Sequence, residues 1–441
     1  MGKKTLAATI SLVIILLFFG SMPAMAKNTA GGDRYTAIAA DGVALAMKRY
    51  RPEGTARFRK GAQPVVLLPG LMSSLNEFDV RTPEGENYDV ELPDPLAAWA
   101  RGDKYIKRDP MRYYSLAHYL WLQGYDVWLA NYRGEGREPY LSGGQTGYTL
   151  DDLGIYDAPA IVEKVYEVTK KHPIWFGHST GSTMAYIYLQ GARYGDNGKV
   201  ISDPALVDER NGGHGKQSIK AFIDLDGPFT CFSGGSMLDN VLSWGSLYWS
   251  VFFDIRPFMF QFAEGLVEPL TAMGDWVYQT LQALGIPDLG PLNILFSINS
   301  NNLDPAVNKY GAKYCFDGAS LRTLAQYADA AAHGVLREDY LNGCPDMFPH
   351  DPCEGDGYYY YSASENLKKI KIPALVLADS RSDITNPEDI KKFYDGKTRA
   401  DADRFIKIPD AAHVDSICGL NAPTFTYPEI GKWLKKVMGR R

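Results

Sequence analysis

A sharp turn between a strand and a helix is the sequence feature that most constrains this fold. Residues 177–181 read G-x-S-x-G; they follow the apolar run 173–176 and precede a periodic segment over 182–193. In a turn of this kind, called an elbow, two glycines allow the strand and the helix to approach closely, and the serine hydroxyl extends into a cleft. The pattern therefore predicts that Ser179 is a nucleophile.

The first 26 residues have the pattern of a secretory signal peptide. Lys3 and Lys4 precede an apolar run over 6–19, and the small residues of Ala24-Met25-Ala26 follow it. The apolar run is short for a membrane span of about 20 residues, which favours cleavage after Ala26. We therefore expect a secreted or periplasmic protein.

Cysteine content and charge limit the partners and cofactors. Secretion permits disulfides, and Cys344 and Cys353, in one loop-like stretch, are the best candidates for a pair. The total of five cysteines leaves at least one thiol unpaired within the chain. The formal net charge is −6, without a basic stripe or a zinc-type cysteine spacing. We expect no nucleic-acid partner, no metal and no organic cofactor.

Strand-like and helix-like segments alternate along the chain after an early hairpin over 35–51. This alternation predicts an α/β fold, with a mostly parallel sheet and helices on both faces. The predicted strands after the hairpin cover residues 64–68, 126–130, 173–176, 219–225, 374–378 and 404–408.

A large segment without strand signals separates the last two predicted strands from the rest. It is rich in aromatic residues and predicts several helices, inserted where a cap over an active site would lie. Most of its aromatic side chains are expected to form the core of the cap. Apolar side chains at the mouth of a pocket would also suit an apolar substrate. The predicted organisation is a signal peptide over 1–26, a core over 27–228 and 372–441, and a helical cap over 229–371.

A serine nucleophile needs a base within hydrogen-bond reach and an acid that orients the base. His413 lies just past the last predicted strand and is the candidate base. Asp383, on the loop beyond the strand 374–378, is the candidate acid, and Asp379 at the tip of that strand is its rival. We expect Asp415 to cap or pack, and His178 to pack or form hydrogen bonds within the turn.

Two backbone N–H groups should stabilise the oxyanion of a tetrahedral intermediate. One is expected from Thr180, which follows the nucleophile. The other is expected from the loop 69–72 after the first buried strand, with Leu71 as the first choice and Met72 as the second.

Several blocks of this chain together resemble the acid lipase family, the lysosomal and gastric lipases within the α/β-hydrolases. The blocks are Asp41-Gly42-Val43-Ala44-Leu45, Pro69-Gly70-Leu71-Met72, the G-Y-D-V-W-L-A-N-Y-R-G run over 124–134, Tyr156-Asp157-Ala158-Pro159-Ala160, the elbow G-H-S-T-G, Asp383 with the segment 386–390, and the A-H-V-D-S-I run over 412–417. The resemblance implies an α/β-hydrolase fold with the helical cap inserted before the strand that carries the catalytic acid. It also implies a Ser179, Asp383 and His413 triad, a lid, and neutral or long-chain ester substrates.

Two departures from the family pattern change what the resemblance implies. Pro69 stands where the family usually has histidine in the oxyanion loop, so the support of this loop must differ. The insertion over 77–110 and the long aromatic cap are also unlike the animal enzymes.

The sequence therefore predicts a serine carboxylic-ester hydrolase, a lipase or esterase that cleaves apolar acyl esters through an acyl-enzyme. An acyltransferase or polyester depolymerase with the same triad is one alternative, and a non-catalytic binding module on the same fold is another. The expected partner is a small-molecule ester or lipid substrate. Transient contact of the cap with lipid surfaces is also expected, and no obligate protein partner is.

Overall fold

The structure is a computed structural model that describes residues 32–54, 61–228, 252–263, 297–339, 358–382 and 384–439. Its strands are β1 (Asp33–Ile38), β2 (Ala44–Tyr50), β3 (Pro64–Leu68), β4 (Asp126–Ala130), β5 (Ile174–His178), β6 (Ala192–Tyr194), β7 (Val200–Ser202), β8 (Ala221–Leu225), β9 (Phe252–Asp254), β10 (Gly318–Ser320), β11 (Ala374–Asp379) and β12 (Arg404–Ile408).

Helices surround these strands. The α-helices are Lys104–Arg108, Leu116–Leu122, Leu150–Asp152, Ala158–Thr169, Thr180–Leu189, Pro204–Gly212, Arg256–Ala263, Pro305–Tyr310, Leu321–His333, Ser364–Leu367, Pro387–Gly396, Asp415–Cys418 and Tyr427–Val437. Short 3-10 turns cover Pro52–Gly54, Leu75–Glu77, Pro110–Tyr114 and Ser300–Asn302, and π-helical turns cover Leu153–Asp157, Gly311–Cys315 and Ala422–Thr426.

Eight strands form one sheet in the order β1-β2-β4-β3-β5-β8-β11-β12. The predicted hairpin is the antiparallel pair β1 and β2, and β2 also runs antiparallel to β4. From β4 to β12 all neighbouring strands are parallel. This is the α/β-hydrolase fold, and the predicted fold class is confirmed.

The central strands are apolar on both faces because helices cover both faces of the sheet. Every residue of β3, β4, β5, β8 and β11 is buried. In β3, Val66 and Leu68 join the core on one side of the sheet, whereas Val65 and Leu67 join the core on the other. Burial on both faces explains why these strands read as continuous apolar runs without alternation.

The described parts of the predicted cap segment are mainly helical. The helix Leu321–His333 begins at Ser320, whose hydroxyl accepts from the Arg322 N–H, and ends at Gly334 in the left-handed conformation. The expectation of a segment without strands was wrong, because β9 and β10 form an antiparallel pair. Each has only three residues, too few to show an alternating pattern.

Some predictions fall outside the described residues, namely the signal peptide over 1–26 and the Cys344–Cys353 pair. Within the described part, Cys315 and Cys418 are free thiols. None of the helices described here is both long and apolar enough to cross a membrane.

Candidate active site

The elbow around Ser179 is strained and closely packed. Ser179 links β5 to the helix Thr180–Leu189 with φ 50° and ψ −118°, a conformation that non-glycine residues rarely adopt. A Cβ on Gly177 would lie 2.4 Å from the carbonyl carbon of Gly181, and a Cβ on Gly181 would lie 2.3 Å from the Leu68 oxygen. Both glycines are therefore required by the close approach of strand and helix.

His413 is held by an aspartate next to the elbow. Its Nδ1 lies 2.6 Å from Oδ2 of Asp226, the residue that directly follows β8. In the parallel register of β5 and β8, His178 is opposite Leu225, and the Ser179 N–H donates to the Leu225 oxygen at 3.0 Å. Ser179 and Asp226 thus leave neighbouring strands at the same edge of the sheet.

The environment of Asp226 favours its ionised form. Burial alone would raise the pKa of Asp226, but hydrogen bonds from His413, the Asp379 N–H and the Thr385 hydroxyl outweigh burial and lower it. Burial lowers the pKa of His413 below its usual 6.5, although Asp226 opposes this effect. Near neutral pH the site therefore presents a neutral imidazole next to a carboxylate.

Sequence reasoning missed Asp226. The predicted acid, Asp383, lies outside the described residues, so this assignment stays a prediction. Its rival Asp379 ends β11 with a fully buried carboxyl, but the carboxyl that His413 Nδ1 contacts is that of Asp226. The signal that could have identified Asp226 is its position directly after a predicted strand, between Ser179 and His413 in the chain. That order is the one found in α/β-hydrolases.

The proposed oxyanion donors lie close to Ser179. A Cβ on Gly70 would be 3.1 Å from the Ser179 Cβ, so the loop that carries Leu71 packs directly on the elbow. The Pro69 carbonyl accepts from the Gly181 N–H at 3.1 Å. Thr180 is the first residue of its helix, where the N–H has no partner within the helix.

Residues from distant parts of the chain form hydrogen bonds to the backbone of the oxyanion loop. The Tyr132 hydroxyl donates to the Gly70 oxygen at 2.9 Å, and the Asp317 N–H donates to the Met72 oxygen at 2.7 Å. Met72 adopts a positive φ of 56°. The loop is therefore held in part through the backbone carbonyls of Gly70 and Met72.

Asp415 and His178 behave as expected. The carboxylate of Asp415 accepts from the Asn299 N–H at 2.8 Å and from Asn302 Nδ2 at 2.6 Å, so it ties the His413 segment to a segment of the cap. His178 is buried within the elbow and forms hydrogen bonds through both ring nitrogens.

One group of potential metal ligands occurs in the part of the chain that the structure describes. Asp226, Asp379 and His413 each place one ligand atom within 4.8 Å of the others. The His413 Nδ1 and an Asp226 oxygen already bind each other, which accounts for two of the three without a metal.

An apolar cluster lies beside the oxyanion loop. Met72 packs with side chains of the cap segment, and Leu71 borders the same cluster. The other members and neighbours are Ile255, Met259, Ala263, Ala312, Ala319, Phe253, Phe316 and Leu324. The surroundings of the oxyanion loop are therefore apolar on this side.

Comparison with known proteins supports an ester hydrolase. A family model described as serine aminopeptidase S33 matches residues 109–224, about a quarter of the chain. Lipase member M of Homo sapiens is 24% identical over 90% of this chain and 81% of its own. Lipase lipl-1 of Caenorhabditis elegans is 28% identical over 47% of each chain. A monoacylglycerol lipase structure from Paleococcus ferrophilus is also similar, with a TM-score of 0.45, 13% identity and coverage of 89% of this chain and 99% of that one. The two lipase relatives confirm the resemblance to lipases.

Proposed function

We propose that this protein is a serine hydrolase that cleaves apolar carboxylic esters through an acyl-enzyme, with Ser179, His413 and Asp226 as its triad. The observation that carries the proposal is the 2.6 Å hydrogen bond between His413 Nδ1 and Asp226, beside a serine held on a strained elbow. If His413 had only a structural role, there would be no reason for Ser179 to keep an unfavourable backbone conformation, whereas a nucleophile on an elbow requires one.

The proposed reaction begins with attack of the Ser179 hydroxyl on the ester carbonyl. His413 takes the hydroxyl proton through Nε2, because Nδ1 is engaged with Asp226, and then delivers that proton to the leaving alkoxide. Asp226 holds the imidazole tautomer and stabilises its charged form. The N–H groups of Leu71 and Thr180 stabilise the oxyanion.

The second half-reaction releases the acid. Water replaces the alcohol. His413 removes a proton from this water as the water oxygen attacks the acyl carbonyl. The Ser179 oxygen then leaves and receives that proton from His413. Added alcohol would compete with water at this step, so product analysis with and without an alcohol acceptor separates hydrolysis from acyl transfer.

Replacement of the nucleophile tests the proposal. We expect Ser179→Ala to lose hydrolysis of a p-nitrophenyl ester series from short to long acyl chains, and to lose labelling by a fluorophosphonate. Ser218→Ala is the matched control, because Ser218 is a buried serine whose hydroxyl accepts from the Gly213 N–H. Unchanged turnover by folded Ser179→Ala would exclude the mechanism.

We also propose that the chain is exported and processed after Ala26. The support is the basic and apolar order of its first residues, together with the small residues before the cut. N-terminal sequencing of the protein recovered outside the cytoplasm should begin at Lys27.

A further inference from the structure

A buried carboxylate and a buried imidazole connect three loops of the candidate active site. Glu77, in the 3-10 turn behind the oxyanion loop, accepts through Oε1 from the Gly70 N–H at 3.3 Å and through Oε2 from the Ser73 hydroxyl at 2.5 Å. Oε1 also lies 3.2 Å from Nδ1 of His178. The Nε2 atom of His178 lies 2.9 Å from the carbonyl oxygen of His413.

The hydrogen-bond partners determine where the protons are. A carbonyl oxygen only accepts, so His178 must carry a proton on Nε2 to bond His413. Both Glu77 oxygens already accept a hydrogen bond, Oε1 from the Gly70 N–H and Oε2 from the Ser73 hydroxyl. With Glu77 acting as an acceptor throughout, His178 Nδ1 is the donor of the contact between them. Both ring nitrogens are then protonated, and the ring is an imidazolium.

We propose that Glu77 and His178 form an ion pair that positions the oxyanion loop and the His413 loop for catalysis. This role rests on the ester-hydrolase function proposed above. The pair lies against the elbow, since a Cβ on Gly70 would be 3.0 Å from His178 Nδ1. Through the Gly70 N–H, the pair supports the oxyanion loop, in which Pro69 stands where the family usually has histidine. Both partners act through backbone groups of the catalytic loops and are positioning residues.

The charges around the pair are consistent with this protonation. Burial would lower the pKa of His178, but Glu77 and the other partners outweigh burial and raise it. The titratable groups that face the pair are Asp226, His413, Glu135, and the thiols of Cys315 and Cys418. The His178 and His413 rings are 4.8 Å apart, and a charged His178 helps to keep His413 neutral.

Kinetics of Glu77 variants provide the first test. We expect Glu77→Ala to lower kcat by about 100-fold, the loss typical of slight misplacement in an active site, with KM changed less than about threefold. Glu77→Gln should recover part of this loss. With its NH₂ group in place of Oε1, the amide can donate to a neutral His178 and its oxygen can accept from the Ser73 hydroxyl, but the hydrogen bond from the Gly70 N–H is lost. A kcat of Glu77→Ala within about threefold of the parent, or a loss expressed in KM, would overturn the positioning role.

The pH profile separates the electrostatic part of the role from simple structural support. His178→Gln removes a positive charge near His413 and leaves Glu77 in place. The pKa of His413 should then rise, and the acidic limb of kcat/KM should move to higher pH. Asp103→Asn is the control, since it alters another buried histidine–carboxylate pair, with His118, away from the site. Its profile should keep the position of the parent's acidic limb.

A measurement that does not depend on activity completes the test. In protein with ¹⁵N-labelled histidines, the signal of His178 should be that of an imidazolium at pH 6.5, and it should become largely neutral in Glu77→Gln. A neutral His178 at this pH in the parent protein would refute the ion pair. If the parent turns over no ester at all, the proposed function fails, and with it the catalytic role, while the NMR result still decides whether the ion pair exists.

Discussion

Asp226, which contacts His413 Nδ1, is the proposed acid of the site. We expect Asp226→Asn to lower kcat on the order of 10⁴-fold, because an amide cannot stabilise the charged imidazole and favours the wrong tautomer. Asp383→Asn is the comparison variant and should keep most of the activity. The kinetics of the two variants on one p-nitrophenyl ester decide between them. A larger loss in Asp383→Asn than in Asp226→Asn would restore Asp383 as the acid.

Asp379 should make the folded protein less stable as the pH rises. Burial raises the pKa of this carboxyl well above 3.8, so the folded protein keeps a proton that the unfolded chain releases at neutral pH. Asp379→Asn removes this cost, and its gain in Tm over the parent should grow from pH 5 to pH 8. The exposed Asp196→Asn variant should show no such trend. A constant Tm difference would mean that Asp379 is ionised in the folded state.

The residues of the site differ in how far sequence could identify them. Ser179 and His413 could be predicted because each lies in a local pattern, a glycine-flanked turn or the segment after the last strand. Asp226 also follows a predicted strand directly, but so does Asp379, and the sequence does not distinguish the two. The role of Asp226 depends on which strand end faces His413, and this follows from the placement of β8 between β5 and β11. Glu77 was equally hidden, because it acts only through loops that meet in the folded chain.

At the scale of elements, the elbow depends on the absence of a side chain at Gly181. In Gly181→Ala the new Cβ would lie 2.3 Å from the backbone oxygen of Leu68. Relief of this clash would require movement of the backbone of β3 or of the helix Thr180–Leu189. We expect a loss of at least about 2 kcal/mol in stability, comparable to overpacking in a core, and loss of activity. Urea unfolding and ester turnover measure the two effects.

A glycine in open space is the matched control for this substitution. Gly311 has φ −55°, and a Cβ there would meet nothing within 4 Å. Gly311→Ala should therefore leave stability and turnover nearly unchanged. Equal effects of Gly181→Ala and Gly311→Ala would show that close strand–helix contact does not limit the elbow.

The elements that sequence predicted well are those with strong burial on both sides. The parallel strands could be predicted because their apolar runs are continuous, as in β3 and β11. The pair β9 and β10 could not, since three residues give no periodicity and the pairing joins segments more than sixty residues apart. Local sequence carries no information about such a contact.

Across the whole molecule, a buried ionic cluster joins the cap segment to the oxyanion loop. Arg256 Nη1 lies 3.0 Å from Oδ1 of Asp317 and donates to the Gly136 oxygen at 3.1 Å. Asp317 accepts from the Gly136 N–H at 2.6 Å, and its own N–H holds Met72. Burial raises the pKa of Asp317 to about 7, and the charge of Arg256 opposes this rise.

Removal of Arg256 should therefore weaken both the packing of the cap segment and catalysis. Arg256→Ala removes one of the two cations near the buried carboxyl of Asp317, the other being Arg137. Breaking a buried pair costs about 3–5 kcal/mol where the remaining charge stays ionised, and protonation of Asp317 reduces this cost. We expect a lower urea midpoint, and a reduced kcat because Met72 adjoins the oxyanion donor Leu71. Arg193→Ala, which breaks the exposed pair with Asp203, should lower the urea midpoint far less and spare kcat. A lower midpoint with unchanged kcat in Arg256→Ala would mean that the cluster stabilises the protein without holding the oxyanion loop.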